Sequence, residues 1–188
     1  HNVRKEGKEE AIFLKEYCEE NDIIFESMII EKYGDDNFHN EARAIRYSFF
    51  DKIVKKYDAN YLMTAHHGDD LMETILMRIV RGSSLKGYAG FKTVVEKDTY
   101  KIVRPLIFMT KEEIKDYDDK LGIKYAIDAS NFKAKYTRNR YRKVVLPFLK
   151  EEDKNVHMHF LKFSKLLFEY DNYVEKETQN KLKKVYAN

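Results

Sequence analysis

The stretch from residue 61 to residue 81 restricts the possible folds of this chain more than any other. It opens with a short apolar run at 61–65 and continues, from about residue 69, with apolar residues at helical spacing. Two histidines and three carboxylates, at positions 66, 67, 69, 70 and 73, lie where the predicted strand gives way to the predicted helix. Since ligands of open α/β sheets bind at the carboxyl ends of strands, we predict a functional site here.

The spacing of the polar residues at this junction also favours a site. If the helix starts near His66, then His66, Asp70 and Glu73 lie on one of its faces. Asp69 and Asp70 alone could be acids that stabilise a helix N-terminus. That explanation accounts for neither the histidine pair nor Glu73, so we favour a catalytic or binding role.

The rest of the chain alternates between helix and strand patterns. Strands are predicted at 23–30, 61–65 and 100–104, and helices at 5–20, 40–57, 69–81, 136–149 and 151–185, the last as one or two helices. Thr110 and Glu113 form a capping-box pattern that starts a further helix, which Gly122 ends. This order predicts an α/β fold, with a parallel sheet, helices on both of its faces and additional C-terminal helices.

Composition and charge narrow the classes of function. The 188 residues suit one sizeable domain, and a net charge of +3 does not by itself indicate a nucleic-acid partner. Residues 124–143, however, hold seven basic residues and a single acid, a local excess that could neutralise phosphates. Cys18 is the sole cysteine, which excludes a disulfide within this chain and a cysteine-based metal cluster. No apolar run has membrane-spanning length, and we expect a cytoplasmic protein without a membrane partner.

Several sequence blocks resemble those of one known family. Residues 66–74 read HHGDDLMET and match the HHxDDxxET signature of the bacterial tRNA(Ile)-lysidine synthetases, which are PP-loop ATP pyrophosphatases. Further blocks similar to that family follow in the same order: Arg78, Arg81-Gly82-Ser83, Gly87, Gly90, Arg104-Pro105-Leu106, Asp128-Ala129-Ser130-Asn131, Arg138-Asn139-Arg140-Tyr141-Arg142 and Leu146-Pro147. The opening residues, His1-Asn2-Val3-Arg4, resemble the H-x-x-R after the family's second strand.

The resemblance implies a PP-loop fold and a ligase. The enzyme would join lysine to the wobble cytidine of tRNA(Ile) with a CAU anticodon, forming lysidine. The cytidine C2 oxygen would first be adenylated with release of pyrophosphate, and the side-chain amine of L-lysine would then displace AMP. The implied cofactors are ATP and Mg²⁺, the latter because divalent cations neutralise phosphate charge in such transfers. A homodimer is a further possibility.

The resemblance also implies roles for individual residues. His66 would contact ATP and serve the adenylation step, and its imidazole could move a proton. Asp70 and Glu73 would be catalytic and would hold the lysine cation together with one arginine, for which we favour Arg140. The other substrate-binding or tRNA-binding arginines would be Arg78, Arg81 and Arg138. His67 could be structural or catalytic, and no residue is assigned as a metal ligand.

One element of the family is absent from the sequence. The nucleotide-binding loop of the family, Ser-Gly-Gly-x-Asp-Ser, binds the ATP phosphates through backbone N–H groups, and this chain contains no Gly-Gly pair. The resemblance begins just downstream of where that loop would lie, so we favour sequence missing before His1 over a degenerate enzyme. We therefore divide the chain into a PP-loop-type catalytic domain without its first strand and phosphate loop, at 1–150, and a helical linker or start of a C-terminal region, at 151–188.

Three alternatives stay open. Another PP-loop enzyme that modifies tRNA, such as a thiolating one, would also bind ATP, although such enzymes usually carry cysteine pairs. A metal-dependent phosphohydrolase could use His66, His67, Asp69 and Asp70 as ligands. A non-catalytic RNA-binding fragment built on residues 124–143 would bind RNA in a salt-sensitive way and would not need Asp70 or Glu73.

Overall fold

The computed structural model describes residues 6–30, 38–126 and 137–186. The elements in these ranges are α1 (Glu6–Glu20), α2 (Phe38–Lys56), β1 (Tyr61–Met63), α3 (Gly68–Arg81), α4 (Leu85–Tyr88), β2 (Val94–Glu96), β3 (Lys101–Val103), a 3₁₀ helix (Pro105–Phe108), α5 (Lys111–Leu121), α6 (Thr137–Arg140), a π-helical turn (Tyr141–Val145), α7 (Leu146–Glu152) and α8 (Val156–Tyr186). Within the described ranges, no helix combines the length and the apolar character needed to cross a membrane.

The chain divides into two compact units. Unit 1 comprises His1–Leu62 with Asp98–Tyr100, and unit 2 comprises Met63–Lys97 with Lys101–Asn188. Unit 2 holds the predicted junction site, and in it α8 packs against α3. The proposed division of the chain at residue 150 stays a prediction.

The core of unit 2 forms around the apolar face of α3. Leu71 and Ile75 from α3 are fully buried against Ile107 and Leu161. Burial of side chains of this size stabilises a fold by about 1.5–3 kcal/mol each. The first turn of α3 is therefore fixed by packing on one face, while its polar residues are presented on the others.

Local signals explain where two of the helices begin and end. At the start of α5, Glu113 N donates to Thr110 Oγ1 and Thr110 N donates to Glu113 Oε2, which is the predicted capping box. Gly122 follows α5 in the left-handed conformation, with φ of 66°, as a helix C-terminus commonly requires. At the start of α3, His67 N donates to Asp70 Oδ2 over 3.2 Å.

The described sheet is small, and part of it is not parallel. Its strand order is β1–β3–β2, and Thr64 N donates to Val103 O over 3.0 Å at the end of β1. Strands β2 and β3 run antiparallel, with Val95 opposite Ile102. The predicted all-parallel arrangement is wrong for this pair, because the four residues at 97–100 can join antiparallel strands but are too short for a parallel crossover.

The strand predicted at 23–30 is also not observed. These residues have no regular secondary structure, and the side chains of Ile24 and Ile29 are about 70% exposed (69% and 72%). A strand requires a neighbour for its backbone groups, and among the described residues no other strand pairs with this segment. Ile23 N donates instead to Cys18 O at the end of α1, over 2.8 Å.

Unit 1 contains a buried phenol whose ionisation is coupled to folding. The hydroxyl of Tyr100 donates to Asp51 on α2, and the Tyr100 side chain is buried. Burial, followed by the hydrogen bond and the negative charge of Asp51, raises the pKa of Tyr100 from 10 to about 12. The folded state therefore holds this proton more tightly than the unfolded chain does.

Removing the Tyr100 hydroxyl should reduce the decrease in the free energy of unfolding that occurs at alkaline pH. A group with a raised folded pKa contributes fully below its unfolded pKa, so the contribution of Tyr100 should fall as the pH rises from 10 towards 12. We expect Tyr100→Phe to be less stable than wild type at pH 8 and to approach wild type by pH 11.5 in urea unfolding. Tyr117→Phe, at an exposed tyrosine, serves as the control and should show a constant difference. A constant difference for Tyr100→Phe as well would contradict the coupling.

Candidate functional site

Two carboxylates on α3 form a charged cluster with two arginines, and this cluster is the centre of the candidate site. Glu73 is 0% exposed, and Arg142 binds it through both carboxylate oxygens, with Nε 2.7 Å from Oε1 and Nη2 3.2 Å from Oε2. Arg138 Nε also donates to Glu73 Oε2. Arg138 Nη2 lies 3.1 Å from Asp70 Oδ1, and Arg142 Nη2 lies 3.7 Å from the same oxygen. The cluster therefore pairs two negative with two positive charges.

The local helix geometry explains why these two arginines converge. Arg138 lies in α6 and Arg142, four residues later, lies in the π-helical turn that leads into α7. Residues four apart share a helix face, and π-helical turns occur frequently at functional sites. Asn139, the residue after Arg138, is buried, whereas Arg140 is exposed.

The cluster therefore contains Arg138 and Arg142, and the structure does not bring the predicted Arg140 to the carboxylates. Arg142 was missed as a site residue in the sequence, although it lies in the same conspicuous run. The signal that could have identified it is its spacing of four from Arg138, because one face of a helical turn carries both.

The energetics of the cluster depend on pairing. Burial acts to lower the pKa of Arg142, but its hydrogen bonds to Glu73 and the charges of Glu73 and Asp70 outweigh burial and raise that pKa. Arg142 is therefore cationic at any physiological pH. A carboxylate as buried as Glu73 would be costly without such partners, and removing one member of a buried pair typically costs about 3–5 kcal/mol.

Asp69, the neighbour of Asp70, has different partners. It is buried, and its Oδ2 accepts from Lys150 Nζ over 2.7 Å and from Lys111 N over 3.2 Å. Lys150 also bonds Glu112 on α5. Burial acts to lower the pKa of Lys150, but these hydrogen bonds raise it overall. Asp69 therefore ties α3 to α5 and α7, so the two adjacent aspartates serve different purposes.

The histidines lie before the helix. The structure starts α3 at Gly68, one residue before the predicted start at about 69, with His67 as its N-cap. The condition for a shared face, a helix that starts near His66, is not met, so His66 is not on the helical face of Asp70 and Glu73. The Nδ1 atom of His66 lies 2.9 Å from Thr64 Oγ1. His67 Nε2 lies 3.4 Å from Asp70 Oδ2, which gives His67 a place at the edge of the cluster.

The remaining predicted arginines lie at the other end of α3. Arg78 Nη1 donates to Gly87 O over 2.6 Å and to Gly90 O over 2.7 Å, so it fastens the segment that follows the helix. Arg81, the last residue of α3, is exposed. Neither is described in contact with Asp70 or Glu73, so their predicted role in binding substrate stays a prediction.

Metal binding was the basis of one alternative function. Within the part of the chain that the structure describes, no group of three or more histidine, cysteine, aspartate or glutamate side chains is placed to hold a metal ion. His66, His67, Asp69 and Asp70 instead contact protein groups. The described residues therefore do not fit a resident metal centre.

Comparison with known proteins identifies related sequences. A family model of the PP-loop domain matches residues 1–149. A tRNA(Ile)-lysidine synthase of Bacillus cereus is 46% identical over 186 residues, and one of Bacillus subtilis is 40% identical over 185 residues; each match covers 96% of this chain and 39% of the relative. A bifunctional protein TilS/HprT of Listeria innocua is 40% identical over 189 residues, covering 98% of this chain and 29% of that protein. The chain thus spans 39% or less of the length of these relatives.

A solved structure supports the same fold. The U34-tRNA thiolase NcsA from Methanococcus maripaludis, solved with its 4Fe-4S cluster, matches with a TM-score of 0.67 over 86% of this chain and 57% of that one. Its sequence identity is 15%, so the likeness concerns the α/β architecture and not the reaction. With the PP-loop model matching residues 1–149 of 188, the chain belongs to the PP-loop domain family.

Proposed function

We propose that the protein is a tRNA(Ile)-lysidine synthetase, a ligase that uses ATP to join L-lysine to the wobble cytidine of tRNA(Ile) with a CAU anticodon. The observation that carries the proposal is the cluster of Asp70, Glu73, Arg138 and Arg142 at the start of α3. A free amino acid carries an ammonium and a carboxylate, and its recognition needs an anion and a cation side by side. The names of the relatives given above support the same reaction.

Exposure assigns the members of the cluster to different tasks. The Asp70 side chain is 16% exposed and the Arg138 side chain 45%, so both can meet a ligand. Asp70 would bind an ammonium group of lysine, and Arg138 would bind the lysine carboxylate through paired N–H donors. Glu73, which has no exposed surface, would act by holding both arginines in place.

The proposed reaction has two steps, adenylation of the cytidine and transfer of lysine. The cytidine C2 oxygen attacks the α-phosphorus of ATP, and pyrophosphate leaves. The lysine side-chain nitrogen then attacks C2, forming the C2–N bond while the C2–O bond breaks and AMP departs with that oxygen. Because an ammonium is not a nucleophile, a nearby base must first remove a proton from it. Asp70 would hold the ammonium while His66 contacts the adenylate phosphate or moves a proton.

The other expectations belong to the same proposal. Binding of ATP follows from the PP-loop domain, and Mg²⁺ would accompany ATP as a substrate complex. The tRNA would contact the basic residues between 124 and 143, of which 127–136 lie outside the described residues. Dimerisation and a cytoplasmic location stay predictions.

A transfer assay with the full-length protein tests the proposal. The protein is incubated with ATP, radiolabelled lysine and a tRNA(Ile) transcript carrying a CAU anticodon. We expect ATP-dependent incorporation of label, and none into a matched transcript with uridine at the wobble position, because uridine lacks the 4-amino group that makes the cytidine C2 oxygen nucleophilic. Salt-sensitive binding of the transcript without incorporation would favour a non-catalytic RNA-binding protein instead.

A further inference from the structure

We propose that Thr64 is a positioning residue for His66, fixing the orientation of its imidazole. This inference rests on the proposed function, in which His66 serves the adenylation step. Two contacts carry it: the Thr64 hydroxyl lies 2.9 Å from His66 Nδ1, and the ring of Phe91 lies against the imidazole in an edge-to-face arrangement.

Thr64 is itself held firmly. Its backbone N–H donates to Val103 O on β3 over 3.0 Å, which anchors the residue directly after β1. The side chain is β-branched, and such side chains have few accessible χ1 rotamers. The hydroxyl is therefore presented from a fixed backbone on a stiff side chain, as a positioning group requires.

A second support fixes the ring from another direction. The centroids of His66 and Phe91 are 5.2 Å apart, with the rings inclined at 62° in an edge-to-face arrangement. Phe91 packs against the core cluster of Leu71 and Ile75. The guanidinium of Arg104 lies over the Phe91 ring, 5.1 Å from its centroid, and Arg104 Nη1 donates to Lys92 O over 2.6 Å.

The two supports act on different degrees of freedom of the imidazole. Phe91 restricts where the ring can lie, but an aromatic neighbour alone does not prevent the ring from turning over by 180° about χ2. The Thr64 hydroxyl does, because it hydrogen-bonds Nδ1, whether it donates to that nitrogen or accepts from it. Turning the ring over would place a carbon where Nδ1 lies and would lose this bond.

This orientation matters for the proposed chemistry. A ring that contacts a phosphate or accepts a proton must present a nitrogen at a defined place, and the ring turned over would present a carbon there instead. Thr64 would therefore affect the rate of adenylation without touching a substrate. Loss of one such bond is expected to lower the rate by about tenfold.

Two substitutions separate the hydroxyl from the shape of the side chain. Thr64→Val keeps the branched shape and removes the hydroxyl, whereas Thr64→Ser keeps the hydroxyl. In the full-length protein, ¹⁵N NMR of the His66 ring should show nearly the same Nδ1 chemical shift for wild type and for Thr64→Ser, and a displaced one for Thr64→Val, which has lost the hydrogen bond to Nδ1. The kcat for pyrophosphate release should fall about tenfold in Thr64→Val with less than about a twofold change in the KM for ATP, and Thr64→Ser should restore most of it.

The outcomes divide cleanly. An unchanged Nδ1 chemical shift and an unchanged kcat in Thr64→Val would overturn the inference. If Thr64→Val does not fold, a tenfold fall in the kcat of Thr64→Ser would overturn it as well, because the hydroxyl is still present there. If wild type transfers no lysine but Thr64→Val still displaces the Nδ1 chemical shift of His66, the positioning role stands and the proposed function fails.

Discussion

Glu73→Gln is expected to abolish lysine transfer, lowering its rate by roughly a hundredfold or more, the usual cost of removing one preorganised charged group from an active site. Glutamine has nearly the same shape, but it cannot neutralise the two guanidinium groups that Glu73 binds. Arg138 would lose the anchor that directs it towards Asp70. The measurement is incorporation of radiolabelled lysine into the tRNA(Ile) transcript, alongside the Kd for that transcript, which should change little.

A second glutamate variant is the control for this assay. Glu96→Gln alters an exposed glutamate that pairs with Lys101 over 3.1 Å, and it should leave transfer unchanged. Since Glu73 is buried, circular dichroism should verify that the variant is folded. Asp70→Asn changes a more exposed member of the cluster, so it should destabilise the fold less than Glu73→Gln does. Normal transfer by folded Glu73→Gln would show that the cluster is not the lysine site.

Gly90→Ala should be among the most destabilising single substitutions in unit 2. Gly90 has φ of 77°, a conformation that costs other residues about 1–2 kcal/mol. An added Cβ would also lie 2.7 Å from Leu71 Cδ1 and 3.1 Å from Ile75 Cγ1, both in fully buried side chains. Overpacking of this kind costs about 1–3 kcal/mol, so we expect a total loss of about 3 kcal/mol. Urea unfolding followed by circular dichroism measures it.

Gly122→Ala provides the comparison for this substitution. Gly122 has φ of 66° in the left-handed conformation, but an added Cβ there would meet no heavy atom within 4 Å. It should therefore lose only the conformational part, about 1–2 kcal/mol. Equal losses for the two variants would show that close packing against α3 contributes nothing at Gly90.

The features that sequence predicted well are those decided locally. The capping box of Thr110 and Glu113 needs only residues three apart, and the structure forms it. The start of α3 was predicted at about residue 69 and lies at Gly68, so His66 is outside the helix and the face that required a start near His66 does not form. Helix boundaries are set by caps as well as by periodicity, and His67 is not a residue that usually signals an N-cap.

The features that sequence predicted poorly depend on distant partners. The apolar run at 23–30 has the composition of a strand, but a strand also needs a neighbour. The choice between Arg138, Arg140 and Arg142 depends on which face of a short helical segment meets α3. The spacing of four shows that Arg138 and Arg142 share a face, but not that this face meets α3, because all three residues are polar and the turn changes from α to π helix between them.

The charge pairs of α3 have a consequence for how the chain folds. Glu73 is separated from Arg138 and Arg142 by 65 and 69 residues, and Asp69 from Lys150 by 81. Contacts so far apart along the chain are formed only after a long loop has closed, and such closure slows folding. During synthesis, the acidic start of α3 emerges well before its cations do. The helix must therefore remain hydrated until residues 138–150 arrive, and its carboxylates become buried only when those residues dock.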